Sequence, residues 1–111
     1  MFAGSLSSDA TVEEVRRRLV QGESLDLVDV REAEEYQLCR LPGSRWIPLR
    51  ELAGRLDELD REREIIVYCH HGIRSARAVS FLQQMGFTGA RNLRGGIDEW
   101  ARKIDPTMPT Y

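Results

Sequence analysis

Ile65-Ile66-Val67-Tyr68-Cys69-His70-His71-Gly72-Ile73-Arg74-Ser75 decides how the rest of the chain is read. Its first four residues are all β-branched or aromatic, a run too short for a helix, and read as a strand buried on both faces. The chain then turns through Gly72. Beyond Ser75, the expected helix cap, Ala78, Phe81, Leu82 and Met85 recur at helical spacing and Gly86 supplies the stop. Strand, short polar loop and helix in succession form half of a parallel βαβ unit.

In such a unit a ligand sits beyond the carboxyl end of the strand, at the N-terminus of the helix that follows. Cys69 falls at that place. The helix start brings a partial positive charge and unpaired backbone N–H groups, both of which favour a thiolate. Gly72 permits the positive φ that turns several amides toward one centre. Arg74 adds a permanent charge with a planar fork of donors. Together these features activate a nucleophile and hold an anion over it. The expected site is therefore Cys69 as nucleophile, with His70, His71, Gly72, Ile73, Arg74 and Ser75 as the anion cradle and Arg74 as its main charge.

Working outward, the same alternation of elements recurs. Thr11 followed three residues later by Glu14 reads as a capping box, and Val12, Val15, Leu19 and Val20 form the apolar stripe of the helix it opens. Residues 25–30 read as a second buried strand, residues 32–36 as a short acidic helix, and Arg45-Trp46-Ile47 as a strand stopped by Pro48. Leu52, Leu56 and Leu59 predict a helix over 51–59. Arg91-Asn92-Leu93 is a brief strand, and Ile97, Trp100, Ala101 and Ile104 mark a last amphipathic helix. The expected fold class is α/β, a single domain with a mainly parallel sheet.

Composition narrows the function classes. The chain has 111 residues, one domain's worth, with 41% apolar and 31% charged residues. Sixteen Lys+Arg against eighteen Asp+Glu leave a net charge of -2, so there is no basic field to draw nucleic acid. No apolar run approaches the roughly 18 residues of a membrane span. Residues 1–5 lack the pattern of a secretory signal, and two cysteines make no disulfide framework, so a cytoplasmic, reduced protein is expected.

Each candidate also has a plainer reading. Cys69 could be a small buried hydrophobe, but its flanking histidines, Gly72 and Arg74 argue for a polar setting. His70, His71 and Cys69 invite a zinc reading, yet adjacent residues converge poorly on one ion and no second ligand pair exists, so no metal is expected. The histidines are expected to line the pocket and tune its charge. Asp29 and Arg31 read as structural, with Asp29 accepting loop amides and Arg31 bonded to Glu35. Cys39 reads as a passive thiol. Trp46 and Trp100 read as core or interface aromatics, and Gly95-Gly96 as a tight turn beside the loop.

Four motifs in order resemble the rhodanese superfamily across residues 11–104. Leu27-Val28-Asp29-Val30-Arg31 with Glu35-Tyr36 is similar to its early Asp-x-Arg signature, and Leu41-Pro42-Gly43-Ser44 with Ile47-Pro48-Leu49 to its Ile-x-Gly-Ala and Ile-Pro stretch. Val67-Tyr68-Cys69 through Arg74-Ser75 is similar to its active-site loop, and Asn92-Leu93-Arg94-Gly95-Gly96-Ile97-Asp98-Glu99-Trp100 to its Gly-Gly-x-x-x-Trp motif. The resemblance implies a five-stranded sheet flanked by helices on both faces, with residues 1–10 as a flexible segment and 105–111 as a tail. It also implies a sulfurtransferase that needs no cofactor. Cys69 would take sulfur from thiosulfate or a persulfide donor and pass it to cyanide, a thiol or a protein. Cys-x4-Arg is one residue shorter than the Cys-x5-Arg loop of the related phosphatases and arsenate reductases, which favours a single sulfur over a phosphoryl group. A non-catalytic docking module is the other alternative. The stretch Cys39-Arg40-Leu41-Pro42-Gly43 and the tail from Trp100 through Asp105-Pro106 and Met108 resemble the rhodanese domain fused to adenylating enzymes. They thereby imply a ubiquitin-like sulfur-carrier protein, or a cysteine desulfurase, as partner.

Overall fold

The computed structural model describes residues 8–111, so the looseness expected of residues 1–7 lies outside the described residues. In chain order the elements are β1 Asp9–Ala10, α1 Val12–Val20, β2 Asp26–Asp29, α2 Ala33–Leu38, β3 Arg45–Trp46, β4 Ile65–Tyr68, α3 Ile73–Gln84, β5 Ala90–Leu93 and α4 Gly96–Lys103. They build a five-stranded sheet of order β1-β5-β4-β2-β3 in which every pair is parallel. Residues 9–10 depart from the expectation of a flexible segment. Asn92 donates to the Ser8 carbonyl at 2.7 Å and Arg94 to that of Ala10 at 2.8 Å, so pairing satisfies an otherwise bare edge of β5.

The sheet divides the core in two. On one face Val28, Ile65, Val67 and Cys69 pack with Ala78, Val79 and Leu82 of α3 and with Leu52. On the other, Leu27, Ile66, Tyr68 and Leu93 pack with Val12 and Val15 of α1 and with Ile97 and Trp100 of α4. The period of two in β4 therefore continues into Cys69 and sets its side chain on the α3 face.

Residues 51–59 form no continuous α-helix. Two 3-10 turns, Leu49–Gly54 and Leu56–Glu58, stand in its place, closed by short-range bonds such as Glu51 N–H to the Pro48 carbonyl at 2.8 Å. Pro48 and Gly54 shorten the segment while Leu52 still reaches the core, and i→i+3 bonding suits so short a run.

The order of strands fixes the site. From β2 the chain moves outward to the β3 edge, and from β4 it moves the opposite way to β5, so a crevice opens past the carboxyl ends of β2 and β4. Asp29 ends β2 in register with Tyr68 of β4, and the next residues on each strand, Val30-Arg31 and Cys69-His70, form the walls of that crevice.

Candidate active site

Cys69 is the first residue past β4 and is 1% exposed. Three donors converge on its sulfur: the Gly72 amide at 3.1 Å, the Ser75 amide at 3.4 Å and the Ser75 hydroxyl at 3.3 Å. The convergence follows from local backbone geometry. Gly72 takes φ +104° and becomes the N-cap of α3, so the helix starts three residues earlier than expected and its first amides wrap the sulfur. Ser75 is consequently not the cap. It lies inside the first turn, buried, with its hydroxyl turned inward.

Burial alone would push the Cys69 thiol up. The Ser75 hydroxyl, the Ser75 and Gly72 amides and the charge of Arg74 outweigh it and bring the thiol below its ordinary value. Arg74, however, is not free to hold an anion. Its guanidinium makes a bidentate pair with Glu35 of α2, at 2.7 and 2.8 Å, and acts on Cys69 only through space. The same pair holds the Glu35 carboxyl down at about 2.

Glu35 is thus unavailable to Arg31. Instead Arg31, wholly buried, binds Asp29 through Nη2 at 2.7 Å and Nε at 2.9 Å, and Nη2 also reaches the Cys39 carbonyl at 2.6 Å. Asp29 accepts the Arg31 amide as well, at 2.9 Å. The structural role expected for Asp29 and Arg31 stands with a different partner for the arginine. Cys39 is buried against this pair, with Arg31 Nη1 4.0 Å from its sulfur.

The remaining expected residues spread around the rim. Ile73 is 70% exposed and turned to solvent. His70 is sandwiched between His71, with centroids 3.9 Å apart, and Tyr111, with centroids 3.7 Å apart and planes 5° apart. Burial and the neighbouring His71 lower the His70 pKa. His71 is exposed and lies 3.8 Å from the Asp98 carboxylate. His70, His71 and Asp98 bring ligating atoms within 4.8 Å of one another. The two histidine rings are tilted by 36° to one another, and Arg102 already pairs with Asp98 at 2.9 Å. The trio reads as a polar wall of the site.

Two further participants, Asn92 and Tyr111, were not expected at the site, and Gly96, expected as a tight turn beside the loop, ties that loop to α4. Asn92 of β5 accepts from the Ser75 hydroxyl at 2.5 Å and donates to the Gly72 carbonyl at 3.2 Å. Tyr111 lays its hydroxyl between Arg31 and Glu35, at 2.9 and 2.8 Å. Gly96 lets the α4 amides of Ile97 and Asp98 bind the carbonyls of Cys69 and His70, at 2.9 and 3.0 Å. The Asn-Leu-Arg-Gly-Gly motif signalled the first and last of these; nothing in the sequence signalled Tyr111.

A parallel α/β sheet with a cysteine at a central strand end, cradled by the amides of the next helix, defines a thiol-centred member of the doubly wound class. The chain belongs to the rhodanese-like domain family, whose model matches residues 11–103. It is 34% identical over 121 residues to the probable adenylyltransferase/sulfurtransferase MoeZ of Mycobacterium tuberculosis, aligning 99% of this chain but spanning only 31% of that protein. A sulfurtransferase of Allochromatium vinosum is 36% identical over 90 residues, covering 81% of this chain and 84% of its own length. Among solved structures, the human single-domain sulfurtransferase TSTD1 superposes with a TM-score of 0.77 at 27% identity, covering 88% of this chain and 98% of that one.

Proposed function

We propose that the chain is a sulfurtransferase in which Cys69 carries the sulfur as a persulfide. The observation that carries this reading is the convergence of three donors on the Cys69 sulfur. With thiosulfate as donor, the Cys69 thiolate attacks the outer sulfur, the S–S bond breaks and sulfite leaves with the electron pair. The product is Cys69–S–S⁻, its charge sheltered by the amides of the loop. Cyanide, a thiol or a carrier protein then attacks the terminal sulfur and restores the thiolate. Gly72 and Ser75 form the cradle. Arg74 contributes its field, and binds the donor directly only when that anion displaces Glu35. His70, His71 and Ile73 form the rim that a partner meets.

Similarity to the putative sulfur carrier protein YrkF of Bacillus subtilis, 35% identical over 97 residues, supports a sulfur-carrier protein as partner, and a cysteine desulfurase as donor fits the same chemistry. No helix of the described residues is long and apolar enough to cross a membrane. We place the protein in the reducing cytoplasm on the strength of its two unpaired cysteines.

Intact-mass measurement before and after thiosulfate tests the reading, with Cys69→Ser and Cys39→Ser as controls. The expected result is a gain of one sulfur atom that cyanide removes, lost in Cys69→Ser and kept in Cys39→Ser. No uptake from thiosulfate, mercaptopyruvate or a persulfidated desulfurase would leave a docking module, or a phosphatase if aryl phosphate were hydrolysed.

A further inference from the structure

The Ser75 hydroxyl stands between two acceptors and has one proton to give. Its oxygen is 3.3 Å from the Cys69 sulfur and 2.5 Å from Asn92 Oδ1. The orientation of the Asn92 amide is fixed by its other end. Nδ2 donates to the Gly72 carbonyl at 3.2 Å, and a flipped amide would set Oδ1 against that carbonyl, acceptor against acceptor. Asn92 therefore presents an oxygen to Ser75 and competes with the sulfur for the same proton.

The two ionisation states of Cys69 settle this competition differently. As a thiol, Cys69 donates S–H to the Ser75 oxygen, which passes its own proton to Asn92, and every group is satisfied. As a thiolate, Cys69 can only accept, so the Ser75 proton swings to sulfur and Asn92 Oδ1 is left bare. Ser75 and Asn92 are both buried, where an unpaired acceptor is costly. Once sulfur is loaded, the charge moves to the terminal atom and the inner sulfur is neutral, so the proton returns to Asn92. The bare thiolate is thus the one state of the cycle that strands Asn92.

We propose that Asn92 is a positioning residue that competes with Cys69 for the single Ser75 proton and so governs how readily the thiol ionises. The inference rests on the reading of Cys69 as the nucleophile. The charged and titratable groups around the site are Arg74 of α3, paired with Glu35 of α2; Asp29 at the end of β2 and Arg31 just beyond it; His70 and His71 of the loop; Asp98 of α4; and Tyr111. The variants below leave all of these in place.

The test is a thiol titration by ultraviolet absorbance, checked by iodoacetamide alkylation rate against pH, in a Cys39→Ser background so that Cys69 alone reports. Asn92→Ala releases the proton to sulfur, and the midpoint falls by about one pH unit, about tenfold more thiolate below it. The Gly72 carbonyl keeps the Ala76 amide as partner at 3.2 Å, so the loop is not left unsupported. Asn92→Asp adds a like charge and a stronger acceptor and raises the midpoint, although it also sets an oxygen against the Gly72 carbonyl in place of the Nδ2 donor. Ser75→Ala also raises it and abolishes the effect of Asn92→Ala in the double variant. A midpoint that rises or stays still in Asn92→Ala overturns the proposal, as does an Asn92→Ala shift that survives in Ser75→Ala. Should Asn92→Ala not fold, a midpoint in Asn92→Asp that fails to rise overturns it alone. The shifts without sulfur uptake would remove the sulfurtransferase reading and keep this one, and uptake without the shifts would do the reverse.

Discussion

At Gly96 a side chain has nowhere to go. The residue sits at φ +63°, and a Cβ there would press into the His70 carbonyl oxygen and lie 2.6 Å from that of Cys69. Both obstacles are backbone, and both carbonyls are tied to α4 by the amides of Ile97 and Asp98. Relief therefore means sliding α4 away from the loop that positions the Cys69 sulfur. Gly96→Ala is expected to cost at least about 2 kcal/mol in a urea titration and to slow sulfur uptake by Cys69. Gly22→Ala is the control: φ is also positive, at +86°, but nothing lies within 4 Å of its Cβ. It should cost about 1 kcal/mol and leave uptake unchanged. Equal costs at the two positions would show that α4 yields freely, and the close approach would then carry no weight.

Among the elements, the segment after α4 does more than the expected tail. It brings Tyr111 back across the crevice, where the ring covers His70 and the hydroxyl joins the Arg31–Asp29 and Arg74–Glu35 pairs. Burial is the main reason His70 titrates low, and the Tyr111 ring is part of that cover. In Tyr111→Ala the His70 midpoint should rise toward the ordinary 6.5, read by NMR, whereas Tyr111→Phe keeps the stack and should leave it nearly in place. An unmoved midpoint in Tyr111→Ala would mean that His71 and the loop supply the burial instead. Strands β2 to β5, the helices α1 and α4 and the Cys69 loop were legible because each is written in a local pattern: period two, helical spacing, glycine at a turn. Glu35 with Arg74 and Tyr111 with Arg31 were not, since 39 and 80 residues separate the partners and charge alone does not choose among many arginines. Ser75 misled for a related reason. A serine near a helix start caps it or turns inward, and only the φ of Gly72 decides which.

For the molecule as a whole, carboxylates paired at both ends of the sheet set its response to acid. At the amino ends of the strands, Glu64 receives Arg18 at 2.7 Å and Arg91 at 2.8 Å, and Arg91 also binds Glu14 of α1, so one network joins α1, β4 and β5. At the carboxyl ends, Glu35 holds Arg74 beside Cys69. Hydrogen bonds from Arg91, Arg18 and Arg74 hold Glu14, Glu64 and Glu35 respectively below the usual 4.5, with Glu35 at about 2. A carboxyl whose folded value is depressed binds protons more readily in the unfolded chain. It therefore stabilises the fold above its unfolded value and loses that contribution as pH falls through its folded one. The urea midpoint should be flat near neutrality, begin to fall below about pH 5 and keep falling toward the Glu35 value of about 2. Glu64→Gln should lower the neutral plateau and reduce the fall below about pH 5, leaving the Cys69 thiol midpoint alone. Glu35→Gln should flatten the limb between about pH 5 and about 2 and shift the thiol midpoint as well, because Arg74 loses the partner that fixes its distance from the sulfur. If both variants moved the thiol midpoint equally, the two ends of the sheet would be coupled through the core, and the separation of a stabilising network from a site network would be wrong.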